Sequence, residues 1–134
     1  MFIATETPMT IEIEDAEYIA RALCNPGSEM QRELIDSSTD TPMVVVYDPE
    51  PIGWVATHLW RGLQTLEGYV DPEWRRKGLA RIAALTLLAT GYLDRTKAIA
   101  VFSTECVTLA KSLGFQDVRQ FRRNRYGDWE PAPL

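Results

Sequence analysis

Apolar residues fall into short runs along most of the chain and into one long run past its middle. Met43-Val44-Val45-Val46-Tyr47 is short and rich in β-branched residues, which predicts a strand. Ile52 to Trp60 and Leu63 to Val70 predict two more, bounded by the turn sequences Asp48-Pro49-Glu50-Pro51 and Arg61-Gly62. Connections this short make the three an antiparallel meander. Gly68 within the last strand marks a bulge or a close backbone approach. Gly78 to Tyr92 is apolar nearly all round, through Leu79, Ile82, Ala83, Leu85, Leu87, Leu88 and Ala89. That is the pattern of a helix buried on most sides, and Gly91 marks its end. A second copy of the chain covering one side, as a homodimer, is the alternative to core packing. Lys97 to Phe102 is a buried strand. It follows a helix that follows a strand, so the two strands are parallel with a right-handed connection. Ser103 or Thr104 caps a shorter helix ending at Gly114, and Val118 to Arg125 alternates as a strand. Tyr126-Gly127-Asp128 turns, and Trp129 to Leu134, with two prolines, is an edge segment or a tail.

The pattern before Met43 is less regular. Phe2 to Thr5 reads as a short strand. Thr7-Pro8 has the form of an N-cap followed by Pro in the first helical turn. Ile13, Ala16, Ala20 and Leu23 carry that helix to about Cys24 at its 3.6-residue period, although Ile11-Glu12-Ile13 fits a strand as well. Asn25-Pro26-Gly27 breaks it, Ser28 caps a second helix to Ile35, and Asp36 to Pro42 is a polar loop. Strands and helices are interspersed without repeat or linker, so the expectation is a single α/β (α+β) domain over residues 1–134.

Chemistry concentrates at Val70 to Leu88. Asp71 and Pro72 stop the strand, because Pro has no N–H for the ladder. Arg75, Arg76, Lys77 and Gly78 then open the long helix. A loop entering a helix directs unpaired N–H groups outward and carries the positive end of the helix dipole. Gly78 has no Cβ, so a ligand can approach the main chain. Cations beside such a terminus describe an anion site, in particular for phosphate.

Composition narrows the function classes. The 134 residues carry a net charge of -5, which argues against nucleic acid as a partner and favours cationic substrates such as amines. Cys24 and Cys106 form no metal-binding pattern and read as reduced, buried thiols. No signal peptide is visible at Met1 to Glu6, and no apolar run reaches membrane-spanning length. The expectation is a soluble cytoplasmic protein.

Arg75-x-x-Gly78-x-Ala80 resembles the pyrophosphate-binding loop of the GNAT superfamily of acyl-CoA N-acyltransferases, written R/Q-x-x-G-x-G/A. Val70-Asp71-Pro72-Glu73-Trp74 resembles its lead-in, and Leu113-Gly114-Phe115 resembles its L-G-F near the end of the last helix. The resemblance implies a mixed, mostly antiparallel sheet of about six strands with about four flanking helices and a parallel pair splayed at the cofactor. It maps Gly68, Tyr69 and Val70 onto backbone contacts to acetyl-CoA. It maps Arg75, Arg76, Lys77, Gly78, Leu79, Ala80 and Arg81 onto the pyrophosphate loop. The implied activity is transfer of acetyl from acetyl-CoA to a primary amine, on a small molecule or a protein, by direct attack on the thioester. A general base takes the amine proton, and no metal is required.

Two positions depart from that family. Many relatives have a carboxylate eleven residues before the R/Q of the loop, and here the residue is Gln64, which is no base at neutral pH. Many have a Tyr four residues before the glycine of L-G-F, and here it is Ala110. The candidate catalytic residues are Gln64 itself, Glu67 on the same strand, and His58, the only histidine, whose ordinary pKa suits a base. The bland readings are a solvated carboxylate and a core or surface histidine. Tyr69 and Tyr126 near the cleft, and Cys106 with a lowered pKa, are weaker candidates. Cys106 reads better as a small buried hydrophobe. Arg119, Arg122, Arg123 and Arg125 form either an anion patch or a charged edge strand. The competing functional readings are a catalytically degraded GNAT-like fold that binds without turnover, and an unrelated nucleotide-phosphate binder. The latter lacks the G-K-[ST] and G-x-G-x-x-G motifs.

Overall fold

Thr10-Ile11-Glu12-Ile13-Glu14-Asp15 has both a strand period and a β-branched content, and it forms a strand, β1 (Thr10–Asp15). Of the two readings open for Ile11-Glu12-Ile13 the strand holds, and the helix predicted from Thr7 does not run through Thr10–Asp15. The computed structural model describes residues 10–15, 42–48 and 51–132. The strand predicted at 2–5, the helical turns predicted at 16–24 and the helix at 28–35 lie outside them.

The remaining elements follow the apolar runs. They are β2 (Pro42–Tyr47), β3 (Pro51–Ala56), β4 (Leu59–Trp60), β5 (Leu63–Val70), α1 (Leu79–Ala89), β6 (Ile99–Val101), α2 (Thr104–Ser112), β7 (Val118–Arg123) and β8 (Trp129–Pro131). The sheet has eight strands in the order β1-β2-β3-β5-β6-β7-β8, with β4 paired to β5, against the about six that the resemblance implied. Two α-helices flank it among the described residues, against about four expected. Three strands go beyond the predicted six, β1, β4 where the predicted strand 52–60 divides, and β8 in the predicted edge segment, while the one predicted at 2–5 lies outside the described residues. All pairings are antiparallel except β5 with β6 and β6 with β7. The predicted crossover from β5 through α1 to a parallel β6 is present.

The division at Thr57 and His58 has a local cause. The His58 backbone N–H donates to the Thr65 hydroxyl at 3.0 Å instead of to a ladder carbonyl, while Thr65 N–H still reaches the His58 carbonyl at 3.0 Å. The register is the same on both sides, with Ala56 opposite Glu67 and Leu59 opposite Gln64. Arg61 and Gly62, at φ 51° and 78°, close the β4–β5 hairpin as a two-residue turn of the primed type.

Alternation assigns the sheet two faces. Val44, Val46, Val55, Leu66, Ile99 and Val101 pack with Leu79, Ala83, Ala84 and Leu87 of α1 and Ala110 of α2 in the main core. Met43, Val45, Trp54 and Ala56 form a smaller cluster on the opposite face, with Tyr47 and Tyr69 against it. Both helices end the same way. After α1, Tyr92 N–H reaches the Leu87 carbonyl and Gly91 N–H the Leu88 carbonyl. After α2, Phe115 N–H reaches the Ala110 carbonyl and Gly114 N–H the Lys111 carbonyl. These are Schellman caps. Leu113-Gly114-Phe115 is thus a helix stop, with Gly114 at φ 96° and Phe115 buried in the core.

Gly114→Ala places a Cβ at a left-handed φ. It is expected to destabilise the fold by about 1–2 kcal/mol, read as a lower urea midpoint with an unchanged m-value.

Candidate functional site

The basic loop is built on a short 3₁₀ turn, Pro72–Trp74, in which Pro supplies its fixed φ at the first position. Asp71 N–H holds the Ile52 carbonyl at 2.8 Å, which fixes the end of β5 against β3. Arg75 turns back: its Nε donates to the Val70 carbonyl at 2.8 Å, and its guanidinium lies 5.5 Å from the Tyr69 ring centre. Lys77 Nζ sits 4.9 Å over Trp74, which packs against the main core. Arg81 Nη2 reaches the Ser112 carbonyl at 3.4 Å, at the negative end of α2. Arg76 adopts φ 64°, a left-handed conformation uncommon for a side chain, and makes no hydrogen bond or ion pair among the described residues. Gly78, at φ 76°, is the N-cap of α1, and no side chain caps that helix. Nothing lies within 4 Å of where a Gly78 Cβ would stand. The loop therefore presents an uncapped helix N-terminus, open space and an uncommitted guanidinium at one place.

The loop sits above a parting of strands. β5 pairs with β6 from Gln64 to Leu66 and with β3 from Glu67 to Val70. Past Leu66 the two parallel strands separate, and Glu67 to Val70 form a strand edge facing the gap. Gly68 keeps regular register with Val55, so the expected bulge is absent there; the ladder's irregularity lies between Val46 and Tyr47 instead. The other expectation for Gly68, a close approach, is met: a Cβ would lie 3.0 Å from the Trp54 carbonyl oxygen.

At the parting point Glu67 is 1% exposed. Its Oε1 is 3.1 Å from His58 Nδ1, but the contact is poorly aligned, and neither carboxylate oxygen has a hydrogen-bond partner among the described residues. Thr65 Oγ1 lies 3.1 Å from the same Nδ1. Burial pushes the Glu67 carboxyl up from its ordinary value of 4.5, and the His58 and Thr65 contacts only partly draw it back. His58 Nε2 and Trp54 Nε1 are likewise buried without partners. These atoms follow one another along one face of the β3–β5 pair, since Trp54 is opposite Tyr69 and Ala56 opposite Glu67.

The acetyltransferase (GNAT) family model matches residues 8–115. The chain belongs to that family. No curated protein matches it. Among solved structures it is similar to yncA from Salmonella typhimurium, solved with its cofactor acetyl-CoA. The TM-score is 0.57 and the identity 18%, over 93% of this chain and 90% of that one. A GCN5-related N-acetyltransferase from Ralstonia eutropha JMP134 gives 0.54 at 17% identity, over 81% and 93%. AAC(6')-Iy, in complex with the bisubstrate analogue CoA-S-monomethyl-acetylneamine, gives 0.55 at 18%, over 83% and 92%. At these identities the likeness is one of fold.

Within this GNAT domain the residues singled out from sequence separate into groups. Gly68, Tyr69, Val70 and the stretch from Arg75 to Arg81 come together around the gap and the start of α1. His58 and Glu67 meet below them. Gln64 faces elsewhere: its Nε2 donates to the Asp94 carbonyl at 2.7 Å and the Lys97 carbonyl at 3.3 Å, and its Oε1 accepts from Asp94 N–H at 2.9 Å. It latches the loop between α1 and β6, and with Thr57, His58, Leu59 and Tyr92 it lines a shallow cleft of 230 Å³. Ala110 is fully buried in the main core. Cys106 packs against that core, and burial pushes its thiol up to about 11, so it is no nucleophile. Tyr126 is 73% exposed on the β7–β8 turn, beside Arg125. The arginines of β7 do not converge. Arg119 is bidentate to Asp117, at 3.1 and 3.0 Å, and Arg122 pairs with Glu130 at 3.3 Å. Among the described residues no three His, Cys, Asp or Glu side chains gather as metal ligands, and no helix is long and apolar enough to cross a membrane. Sequence reasoning missed Thr65, whose hydroxyl breaks the ladder at His58 and approaches its ring. A β-branched Thr in a strand carries no signal of that kind.

Glu67→Gln tests the buried carboxylate through stability. A carboxyl whose folded pKa is raised costs stability as pH climbs from 4.5 to the folded value, and the cost is level above it. The variant's advantage in urea midpoint is expected to widen over that window and then hold constant. An advantage independent of pH would show that Glu67 is not held neutral by burial.

Proposed function

We propose that this GNAT domain is an N-acyltransferase that moves acetyl from acetyl-CoA to a primary amine, with Glu67 as the general base and His58 as its partner. The observation that carries the reading is the unpartnered, buried Glu67 carboxylate at the point where β5 and β6 part. The groups above it fit the cofactor's pyrophosphate: open space at Gly78, an uncapped α1 N-terminus and the Arg76 guanidinium. The strand edge from Gly68 to Val70 fits its amide-bearing arm. When bound, acetyl-CoA supplies an activated thioester carbonyl. The chain's own residues supply position and a proton acceptor. An amine nitrogen attacks the acyl carbon only when it is neutral. A carboxylate pushed above its ordinary range accepts the proton that the amine loses as its N–C bond forms and the C–S bond breaks, the electron pair leaving with sulfur. His58 Nδ1 lies 3.1 Å from Glu67 Oε1, close enough to interact with the carboxylate electrostatically. Arg75, tied to Val70 and Tyr69, holds the loop in place.

One observation favours a second reading, a cofactor-binding domain without turnover. Gln64 occupies the family's usual carboxylate position and is committed to loop 94–97, and Ala110 supplies no acid. Glu67→Gln separates the two. If Glu67 is the base, turnover is expected to fall by about 10²–10⁴-fold with an unchanged dissociation constant for acetyl-CoA. Wild type that binds acetyl-CoA and acetylates no amine in a broad panel would establish the second reading.

Gly78→Glu adds bulk and negative charge at the open end of α1. Acetyl-CoA at a hundredfold its dissociation constant is expected to stabilise wild type by roughly 2.7 kcal/mol and to leave the variant unshifted in a thermal melt. Equal shifts in both would overturn the assignment of the loop.

A further inference from the structure

Thr65 is fully buried beside the Glu67–His58 pair, across from His58 at the break between β3 and β4. Its hydroxyl makes three contacts with that one residue. It accepts the His58 backbone N–H at 3.0 Å, lies 3.3 Å from the His58 carbonyl and lies 3.1 Å from His58 Nδ1. A hydroxyl offers one proton and two lone pairs. The backbone N–H takes one lone pair. Either the other lone pair or the proton meets Nδ1, and the choice depends on which ring nitrogen carries the imidazole proton.

Two observations decide it. Nδ1 also lies 3.1 Å from Glu67 Oε1, and Nε2 is buried with no partner. With a bare Nδ1, its lone pair would face the ionised carboxylate, and Nε2–H would be a buried donor without an acceptor. With a protonated Nδ1, the N–H has an acceptor in Thr65 and a negative charge beside it in Glu67, and Nε2 keeps only a lone pair. The first arrangement leaves a donor unpaired and sets electron-rich atoms together; the second does neither. Thr65 then turns its own proton to the His58 carbonyl and takes the ring N–H on its second lone pair.

We infer that Thr65 is a positioning residue for the proposed base: its hydroxyl holds the neutral form of His58 as the Nδ1–H tautomer, with that N–H beside Glu67. This inference rests on the acyltransferase reading and adds a residue to it. Its consequence lies at Glu67. A base must be ionised before it can accept a proton. Burial pushes the Glu67 carboxyl up, and the His58 and Thr65 contacts oppose that push. Thr65 therefore keeps the carboxylate ionised down to a lower pH than burial alone allows, both directly and through the ring it holds. Ala56, opposite Glu67 on β3, carries no charge. The other titratable group coupled to Glu67 among the described residues is Cys106 of α2. Burial above all, with a further push from Glu67, takes that thiol up to about 11, so it adds no charge to the site.

His58 is the only histidine, so a long-range proton–nitrogen NMR spectrum of the full chain, free of added histidines, reads its tautomer directly. At alkaline pH wild type is expected to show a protonated Nδ1 and a bare Nε2. Thr65→Ser, which keeps the hydroxyl, is expected to match it, and Thr65→Val, which puts a methyl group in its place, to lose the preference. In Thr65→Val the acid limb of kcat is expected to move to higher pH by up to about one unit, the worth of one hydrogen bond. KM for acetyl-CoA is expected to stay unchanged, and Thr65→Ser to restore the limb. Stability gives a readout without turnover: in the Thr65→Val background, the pH window over which Glu67→Gln gains urea stability is expected to extend to higher pH. A bare Nδ1 in wild type would overturn the inference, whether or not Thr65→Val folds. So would a limb and a window that stay in place while Thr65→Val melts lower, since Thr65 then only shapes the strand. The expected tautomer and window in a protein that acetylates no amine would overturn the acyltransferase reading and leave the hold of Thr65 on His58 standing.

Discussion

The structure depends on one constraint: β5 cannot stay paired to both neighbours along its whole length. Its first half is bound to β6 and its second half to β3. Twist accumulates between adjacent strands, and past Leu66 the parallel partner falls away. The parting leaves a strand edge, and edges are normally covered or blunted. Here the edge ends under the basic loop. Asp71 and Arg75 tie the end of β5 to Ile52 and Val70, so the loop and the edge hold a fixed relation. The proposed cofactor site and the position of the proposed base both depend on the same separation.

The buried Glu67 shows what the separation costs. A carboxylate taken out of water without an aligned donor is destabilising, and the fold tolerates it beside His58 and Thr65. Elsewhere polar groups are satisfied with care. Gln64 uses both ends of its amide on one loop, Ser103 caps α2 by accepting from Cys106 N–H, and Asn124 organises the β7–β8 turn. Beside these ordinary polar groups, Glu67, His58 Nε2 and Trp54 Nε1 find no hydrogen-bond partner along one face among the described residues. Such exceptions among the described residues are uncommon in a native fold.

The charged loop shows a similar division of labour. Its cations are not equivalent. Arg75, Lys77 and Arg81 are spent on Val70, Trp74 and Ser112. Arg76, held at a left-handed φ, is the one left uncommitted among the described residues of the loop. A cluster of basic residues in sequence is thus mostly scaffold, and the proposed anion site rests on Arg76 and Gly78.

Local signals in the sequence determined much of this protein. The strand runs, the apolar helix, the Gly91 and Gly114 stops and the Arg75-to-Ala80 loop are readable because each depends on residues within a few positions of one another. The family follows from the same loop and from Leu113-Gly114-Phe115. Tertiary structure decided the rest. The break at His58 depends on a hydroxyl seven residues away, and β1 is a strand because it finds β2 across a long gap in sequence. Gln64 reads as a catalytic position by counting, yet contacts thirty residues downstream make it a latch. Glu67 has a solvated strand carboxylate as its bland reading, yet it is buried. Burial is set by what packs on a face from distant segments, and no period in the local sequence encodes that.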